Sequence, residues 1–167
     1  MSVKYGLVAA ISVGLIVGCV STGPGALSQP PSTEEVNAAT TVNLPIAVSG
    51  VYGERDYANG IDLKITYRNI DKSRTIKYVT FDVSLLNAVG DVVNGEISHH
   101  SKKLLEATGP IKPNEMIWGA FNGWPKAIYH SNAVSVQINA IKVEFMNGDK
   151  TDYIKVNGLL SMKGDIG

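Results

Sequence analysis

Apolar and polar residues alternate along much of the chain after Val42, and two segments show the alternation most clearly, at positions 61–68 and 79–85. A period of two places every second side chain on the same face of a β-strand, so each segment has one buried and one solvated face. The buried face is predicted to consist of Ile61, Leu63, Ile65 and Tyr67 in the first strand and Val79, Phe81, Val83 and Leu85 in the second.

The alternation changes phase at two places. Ile76 and Tyr78 precede Val79 on the opposite parity, which indicates either a β-bulge or a strand end covered on both faces. A second change of phase separates Ile138 from Ile141 and predicts another bulge.

Turn residues divide the chain into short strands. Asn-Gly pairs, which supply the positive φ angles of tight hairpins, begin at positions 59, 94, 122, 147 and 157. No segment shows helical periodicity of comparable strength, although a short helical turn is expected near Lys126 to Tyr129. Strands spaced in this way predict an all-β fold, an antiparallel sandwich of about seven strands over residues 42–160.

The first 18 residues have a different character. Lys4 is followed by an uncharged, mostly apolar run of about 13 residues, which is too short to span a bilayer and typical of a secretory signal peptide. The run ends in Ile16-Val17-Gly18-Cys19, and Cys19 is the only cysteine of the chain.

These four residues resemble the lipobox of bacterial lipoproteins. The resemblance implies that the signal peptidase recognises Ile16, Val17 and Gly18, cleaves before Cys19, and leaves diacylglycerol on the Cys19 thiol. Two acyl chains or more give essentially permanent membrane attachment. The alternatives are an ordinary cleaved signal peptide or an uncleaved short anchor. An aspartate directly after the cysteine would favour the inner membrane. Val20 stands there instead, which resembles the pattern of outer-membrane lipoproteins, and such a protein faces the periplasm or the cell surface.

Residues 19–41 are rich in Ser, Pro and Gly and show no apolar period, so they are predicted to be a flexible, lipidated tether. A coil of roughly 20 residues reaches about 25 Å, which would hold the domain clear of the head groups.

Several segments also resemble a group of small bacterial envelope domains. The segments are ANGID at 58–62, IKYVTF at 76–81, NAVGD at 87–91, GPIKPNE at 109–115 and IKVEFMNG at 141–148. The resemblance implies an immunoglobulin-like sandwich without an established activity, and it transfers no catalytic residue. The paired cysteines of antibody domains are absent, so the core is expected to form without a disulfide.

Charge and candidate chemistry narrow the function. The 15 basic and 15 acidic residues balance, which argues against nucleic-acid binding. His99 and His100 would point to opposite faces of a strand, and Glu96 with His100 supplies only two ligands, so no metal site is expected. No hydrolase elbow, phosphate loop or zinc-protease motif occurs, and neither a catalytic residue nor a cofactor is predicted.

An aromatic turn offers the best candidate for a binding surface. Trp118 and Trp124 flank Phe121, and such rings could stack on a sugar or a peptide, or could fill the core. Trp118 is expected in the core, Trp124 is left open, and Trp124 with Phe121 forms the candidate surface. Lys102 and Lys103 are expected to protect a sheet edge.

The sequence therefore predicts an envelope lipoprotein, held in the membrane by the lipid on Cys19, that acts as a non-catalytic binding or assembly module. Its expected partner is another envelope protein. The alternative is a small envelope enzyme, or an enzyme inhibitor, acting on cell-wall or surface polymers.

Overall fold

The computed structural model describes residues 27–156 and 158–167. Its elements in chain order are α1 (Thr33–Thr41), β1 (Ile46–Arg55), β2 (Gly60–Asn69), β3 (Ile76–Leu86), β4 (Val92–Val93), β5 (Lys103–Ile111), β6 (Met116–Ile117), β7 (Gly123–Tyr129), β8 (Ser135–Phe145), β9 (Ile154–Lys155) and β10 (Lys163–Asp165).

The strands form two antiparallel sheets. In the first sheet β2 pairs with β1 on one side and with β6 and β7 on the other. The second sheet has the order β10-β8-β3, with β4 and β5 on the free side of β3 and β9 beside β8. The seven main strands are therefore arranged as β1-β2-β7 against β10-β8-β3-β5, which is the immunoglobulin-like sandwich that the sequence predicts.

The predicted buried faces of β2 and β3 are confirmed, whereas Thr66 and Ser84, on the faces predicted to be solvated, are buried as well. Phe81, Val79 and Val83 of β3 are fully buried, and so are Ile61 and its inward-facing neighbours in β2. The register of β3 shifts between Ile76 and Tyr78, where the first bulge is predicted. A second shift opposite Asp82 and Val83 falls between Ile138 and Ala140 of β8, as predicted for the second bulge.

The structure differs from the predicted flexible tether over residues 27–41. Residues 33–41 form α1, whose N-terminus is closed by a capping box in which the Ser32 hydroxyl accepts from the Glu35 N–H at 3.2 Å and the Glu35 carboxylate accepts from the Ser32 N–H at 2.7 Å. Such reciprocal bonds satisfy backbone donors at the start of a helix and fix that start. The part of the tether described here is therefore an ordered portion of the domain.

The segment before α1 lies across the outer face of the first sheet. Leu27 is buried, and its carbonyl oxygen accepts a 2.8 Å hydrogen bond from the Thr66 hydroxyl. The Gln29 carbonyl accepts another, also 2.8 Å, from the Ser49 hydroxyl. Helix α1 packs on β1, and Ala39 is its buried residue. As a result β1 is buried on both faces from Ile46 to Val51.

The C-terminal segment closes the opposite side of β1. Strand β10 pairs with β8, and Ile166 forms a parallel bridge with Gly53 of β1. A Cβ atom on Gly164 would lie 1.7 Å from the Val51 carbonyl oxygen, so only glycine allows this approach. The folded domain thus extends beyond the predicted range of 42–160 at both ends.

The expected helical turn near Lys126 to Tyr129 is wrong, because these residues belong to β7, which pairs with β2. Among the described residues no helix is long and apolar enough to span a membrane. The signal peptide, Ile16, Val17, Gly18, Cys19 and the tether up to residue 26 lie outside the described residues.

An aromatic cleft between the sheet edges as candidate functional site

The loop of residues 118–123, here called the aromatic loop, lies close against β2. Its Gly119 N–H donates a 2.8 Å hydrogen bond to the buried Thr66 hydroxyl. A Cβ atom on Gly119 would lie 2.8 Å from the backbone of Ile65, and one on Gly123 would lie 2.8 Å from the Leu63 carbonyl oxygen. Both glycines are therefore needed for the loop to reach β2, and β7 begins where the loop ends.

Trp124, the second residue of β7, joins the two sheets at this side of the sandwich. Its indole N–H donates a 2.9 Å hydrogen bond to the Glu106 carbonyl oxygen of β5. Its ring meets the Phe81 ring edge-on at 5.8 Å between centroids, and Phe81 meets Tyr67 in the same way at 5.3 Å. This aromatic row connects the edge of the sandwich to its core.

A cavity of about 310 Å³ opens beside this row. Its apolar lining comes from Ile65, Tyr67, Ile117, Phe121 and Trp124. The Tyr67 hydroxyl is buried and has no hydrogen-bond partner among the described residues. Burial also raises the pKa of this hydroxyl, so it stays protonated and able to donate. The cavity has room for a small group beside the Phe121 and Trp124 rings.

The candidate surface of the sequence, Trp124 with Phe121, is brought together at this cavity. Phe121 is 87% exposed, whereas Trp124 is half-buried and packs against the core. The expectation for Trp118 is wrong: it is half-buried and does not belong to the core cluster. The reason is the loop geometry, because Gly119 and Gly123 hold the loop on β2 and it is Trp124 that reaches Phe81.

A second depression, of about 270 Å³, lies on the other side of Trp124 along β5. It is lined by residues 103–106 of β5 and 124–127 of β7. Leu104 is 57% exposed there, beside Pro125. Strand β5 pairs with β3 along one side, and no described strand pairs with its other side. On that side the Glu106 carbonyl oxygen is already occupied by the Trp124 indole, and the remaining backbone groups can pair with another strand.

The histidines of the sequence do not form a site. His99 and His100 are exposed in the turn between β4 and β5, not in a strand, and the Glu96 carboxylate accepts from the Ser131 hydroxyl and N–H at 2.6 and 2.8 Å. These hydrogen bonds lower the pKa of Glu96. Across residues 27–156 and 158–167, no group of three His, Cys, Asp or Glu side chains could hold a metal ion.

A polar hollow of about 690 Å³ lies on the outer face of the second sheet. The Asn139 amide donates to the Ser84 hydroxyl at 2.8 Å and to the Asp82 carboxylate at 3.3 Å, and Lys102 lies 3.3 Å from Asp82. An amide cannot take a proton from a serine hydroxyl, so this contact does not activate Ser84 as a nucleophile.

Two residues were not identified from the sequence: Tyr67, which lines the cavity, and Leu104, which lines the second depression. Tyr67 was assigned to the core, which is where its ring lies, but its unpartnered hydroxyl is visible only in three dimensions. Leu104 follows Lys102 and Lys103, which predict a protected sheet edge. The alternating pattern does not show which side of β5 is unpaired, because that depends on the order of the strands.

Comparison with known proteins adds no relative: no family model matches the chain, and no curated protein or solved structure matches it either.

Proposed function

We propose that this chain is an envelope lipoprotein, anchored by acyl groups on Cys19, whose sandwich is a non-catalytic binding module. The free side of β5, next to Leu104 and Trp124, carries the proposal. An extended segment of another envelope protein can add to such an edge through main-chain hydrogen bonds, and pockets beside the edge then select its side chains.

The geometry of the edge supports this mode of binding. The Glu106 carbonyl oxygen points away from β3, because it accepts from Trp124. In an antiparallel strand every second residue presents both backbone groups to the same side, so Leu104 and Thr108 present theirs to the free side as well. The depression along residues 103–106 and 124–127 provides room for apolar side chains of the added segment.

The anchor is tested first, in living cells. Since the acyl group is attached through the thiol, Cys19→Ser is expected to abolish labelling by radioactive palmitate and to leave the precursor uncleaved after Gly18. Mass spectrometry of the wild-type mature protein is expected to show an acylated N-terminal peptide. An unmodified N-terminal peptide would refute the anchor.

The edge is tested by photo-cross-linking in the same cells. A photoreactive residue at position 104 is expected to capture a discrete envelope protein, whereas one at Val89, an exposed apolar residue in the turn after β3, is expected to capture none. Thr108→Pro, which removes an outward N–H, is expected to abolish capture at position 104. Equal products at both positions, or none at position 104, would contradict binding at this edge.

A further inference from the structure

One buried hydroxyl connects the N-terminal segment to the aromatic loop. The Thr66 hydroxyl donates to the Leu27 carbonyl oxygen and accepts from the Gly119 N–H, both at 2.8 Å. Thr66 is fully buried. Leu27 is therefore held directly beside the aromatic loop.

The composition of this loop is suited to a membrane surface. Ten successive residues, 116–125, carry no charged side chain and include two tryptophans and one phenylalanine. Phe121 is 87% exposed, and Trp118 is half-buried. Aromatic side chains are enriched at the boundary between head groups and acyl chains, where an apolar ring and a polar edge are both accommodated.

The number of residues between the lipid and the domain sets how far the loop can be from the bilayer. Leu27 is the eighth residue after Cys19. Eight residues span at most about 28 Å when fully extended, and a flexible chain of this length has a typical end-to-end distance of about 15 Å. Because the segment from Leu27 onward is packed on the first sheet, it adds nothing to this reach.

From these observations we infer that the aromatic loop rests on the same bilayer that carries the Cys19 anchor, with the Phe121 ring inserted at its interface. The inference builds on the proposed lipidation of Cys19 and names the lipid surface as the partner of the aromatic loop. The domain is then oriented by two attachments, the lipid and the loop. The free side of β5 remains the site for a protein partner.

The two tryptophans allow a direct test, because Trp118 and Trp124 are the only ones in the chain and both lie at this loop. The mature, lipidated protein is reconstituted in vesicles of phosphatidylethanolamine and phosphatidylglycerol, with or without brominated acyl chains, which quench nearby indoles. We expect brominated lipid to quench the tryptophan emission of the wild-type protein.

Two variants with intact anchors complete the experiment. Phe121→Ser removes the inserted ring. It is expected to reduce the ratio of bilayer-inserted to free loops by about tenfold, which appears as a loss of quenching. Tyr57→Ser is the matched control, because Tyr57 is fully exposed but lies in the turn at the other end of β2 from Thr66. Its quenching is expected to equal that of the wild type.

Mass spectrometry of the same samples separates the two proposals. If Cys19 is acylated but brominated lipid does not quench the tryptophan emission, the insertion of the loop is refuted and the anchor is not. Equal quenching of the Phe121→Ser and wild-type proteins would also refute the insertion. A missing acyl group would refute the anchor and, with it, this orientation.

Discussion

Phe81 shows at the scale of one residue how the core and the cleft depend on each other. Its ring is fully buried and contacts Tyr67 on one side and Trp124 on the other. The next residue, Asp82, lies on the outer face of the same sheet, where its carboxylate is near Lys102 and Asn139. Neighbouring positions of β3 therefore have opposite environments.

This contrast predicts the stability of two variants. Phe81→Ala is expected to lower the free energy of unfolding by roughly 3 to 5 kcal/mol, because it removes a buried ring and leaves a cavity. Asp82→Ala is expected to lower the free energy of unfolding by about 1 kcal/mol or less, since the two polar contacts of its carboxylate are 3.3 Å long and lie near the surface. Urea unfolding measures both, and a larger loss for Asp82→Ala would contradict the register of β3.

Asp71 organises the loop between β2 and β3. Burial raises the pKa of its carboxyl, but hydrogen bonds from the Arg74 side chain and from the backbone of Ser73 and Arg74 lower it by more, so the net pKa lies well below the usual range. The guanidinium of Arg74 also lies 3.8 Å from the centre of the Phe145 ring. The ionised carboxylate thus connects the loop to the core.

The depressed pKa predicts a dependence on pH. The unfolded carboxyl titrates near pH 3.9, so the contribution of Asp71 is complete above about pH 5 and is lost as the pH falls toward the folded pKa. Asp71→Asn is expected to cost about 1 to 2 kcal/mol at pH 7 and distinctly less at pH 3. The exposed control Asp152→Asn is expected to cost within about 0.5 kcal/mol at both pH values. An Asp71→Asn penalty that is unchanged at pH 3 would argue against this account.

At the scale of elements, α1 shows what a surface helix can contribute. It has a single buried side chain, Ala39, yet the Glu35 carboxylate that caps its start also accepts a hydrogen bond from the Ser161 hydroxyl near the other end of the chain. The helix covers the outer face of β1, and the segment before it reaches β1 at Ser49 and β2 at Thr66.

Removal of this covering is predicted to destabilise the whole domain. A chain that begins at Thr41 is expected to lose about 3 kcal/mol or more, because it gives up the burial of Leu27 and Ala39 and exposes β1. The milder Ser32→Ala is expected to cost about 1 kcal/mol through the lost cap. Thr33→Ala, an exposed neighbour, serves as the control, and thermal unfolding followed by circular dichroism compares the three. A truncated chain as stable as the wild type would mean that residues 27–40 do not support the sandwich.

The elements differ, for a physical reason, in how far their sequence predicts them. Strands β2 and β3 and the bulges of β3 and β8 are predictable because each of these strands buries one face in the core. Helix α1 is not, because its pattern lacks an apolar stripe and its stability comes from β1; the capping pair Ser32 and Glu35 is the one signal that could have revealed it. The cleft is only half predictable: Trp124 and Phe121 are visible in the sequence, but the unpaired side of β5 depends on the order of strands.

At the scale of the whole molecule, the C-terminal segment makes the sandwich one unit. Gly164→Ala is expected to cost about 3 kcal/mol or more, because the methyl group would collide with the Val51 carbonyl, which belongs to a buried strand and cannot move aside. Gly148→Ala is the control: its φ of 92° is strained for alanine but its surroundings are open, so a cost of about 1 kcal/mol is expected. Equal losses in urea unfolding would show that the contact between β10 and β1 contributes little.

The position of β10 also determines when the domain can finish folding. A chain made from its N-terminus can pair β1 with β2, and β3 with β5, while it is still growing. Gly164 lies in β10 and Ile166 follows it, however, and without them the contacts that join β1 to β8 at this side are missing. Nascent chains stalled before residue 163 are therefore expected to remain sensitive to protease, and chains that include residues 163–167 to become resistant. Closure of the sandwich therefore waits for β10, although the strands before it can already pair.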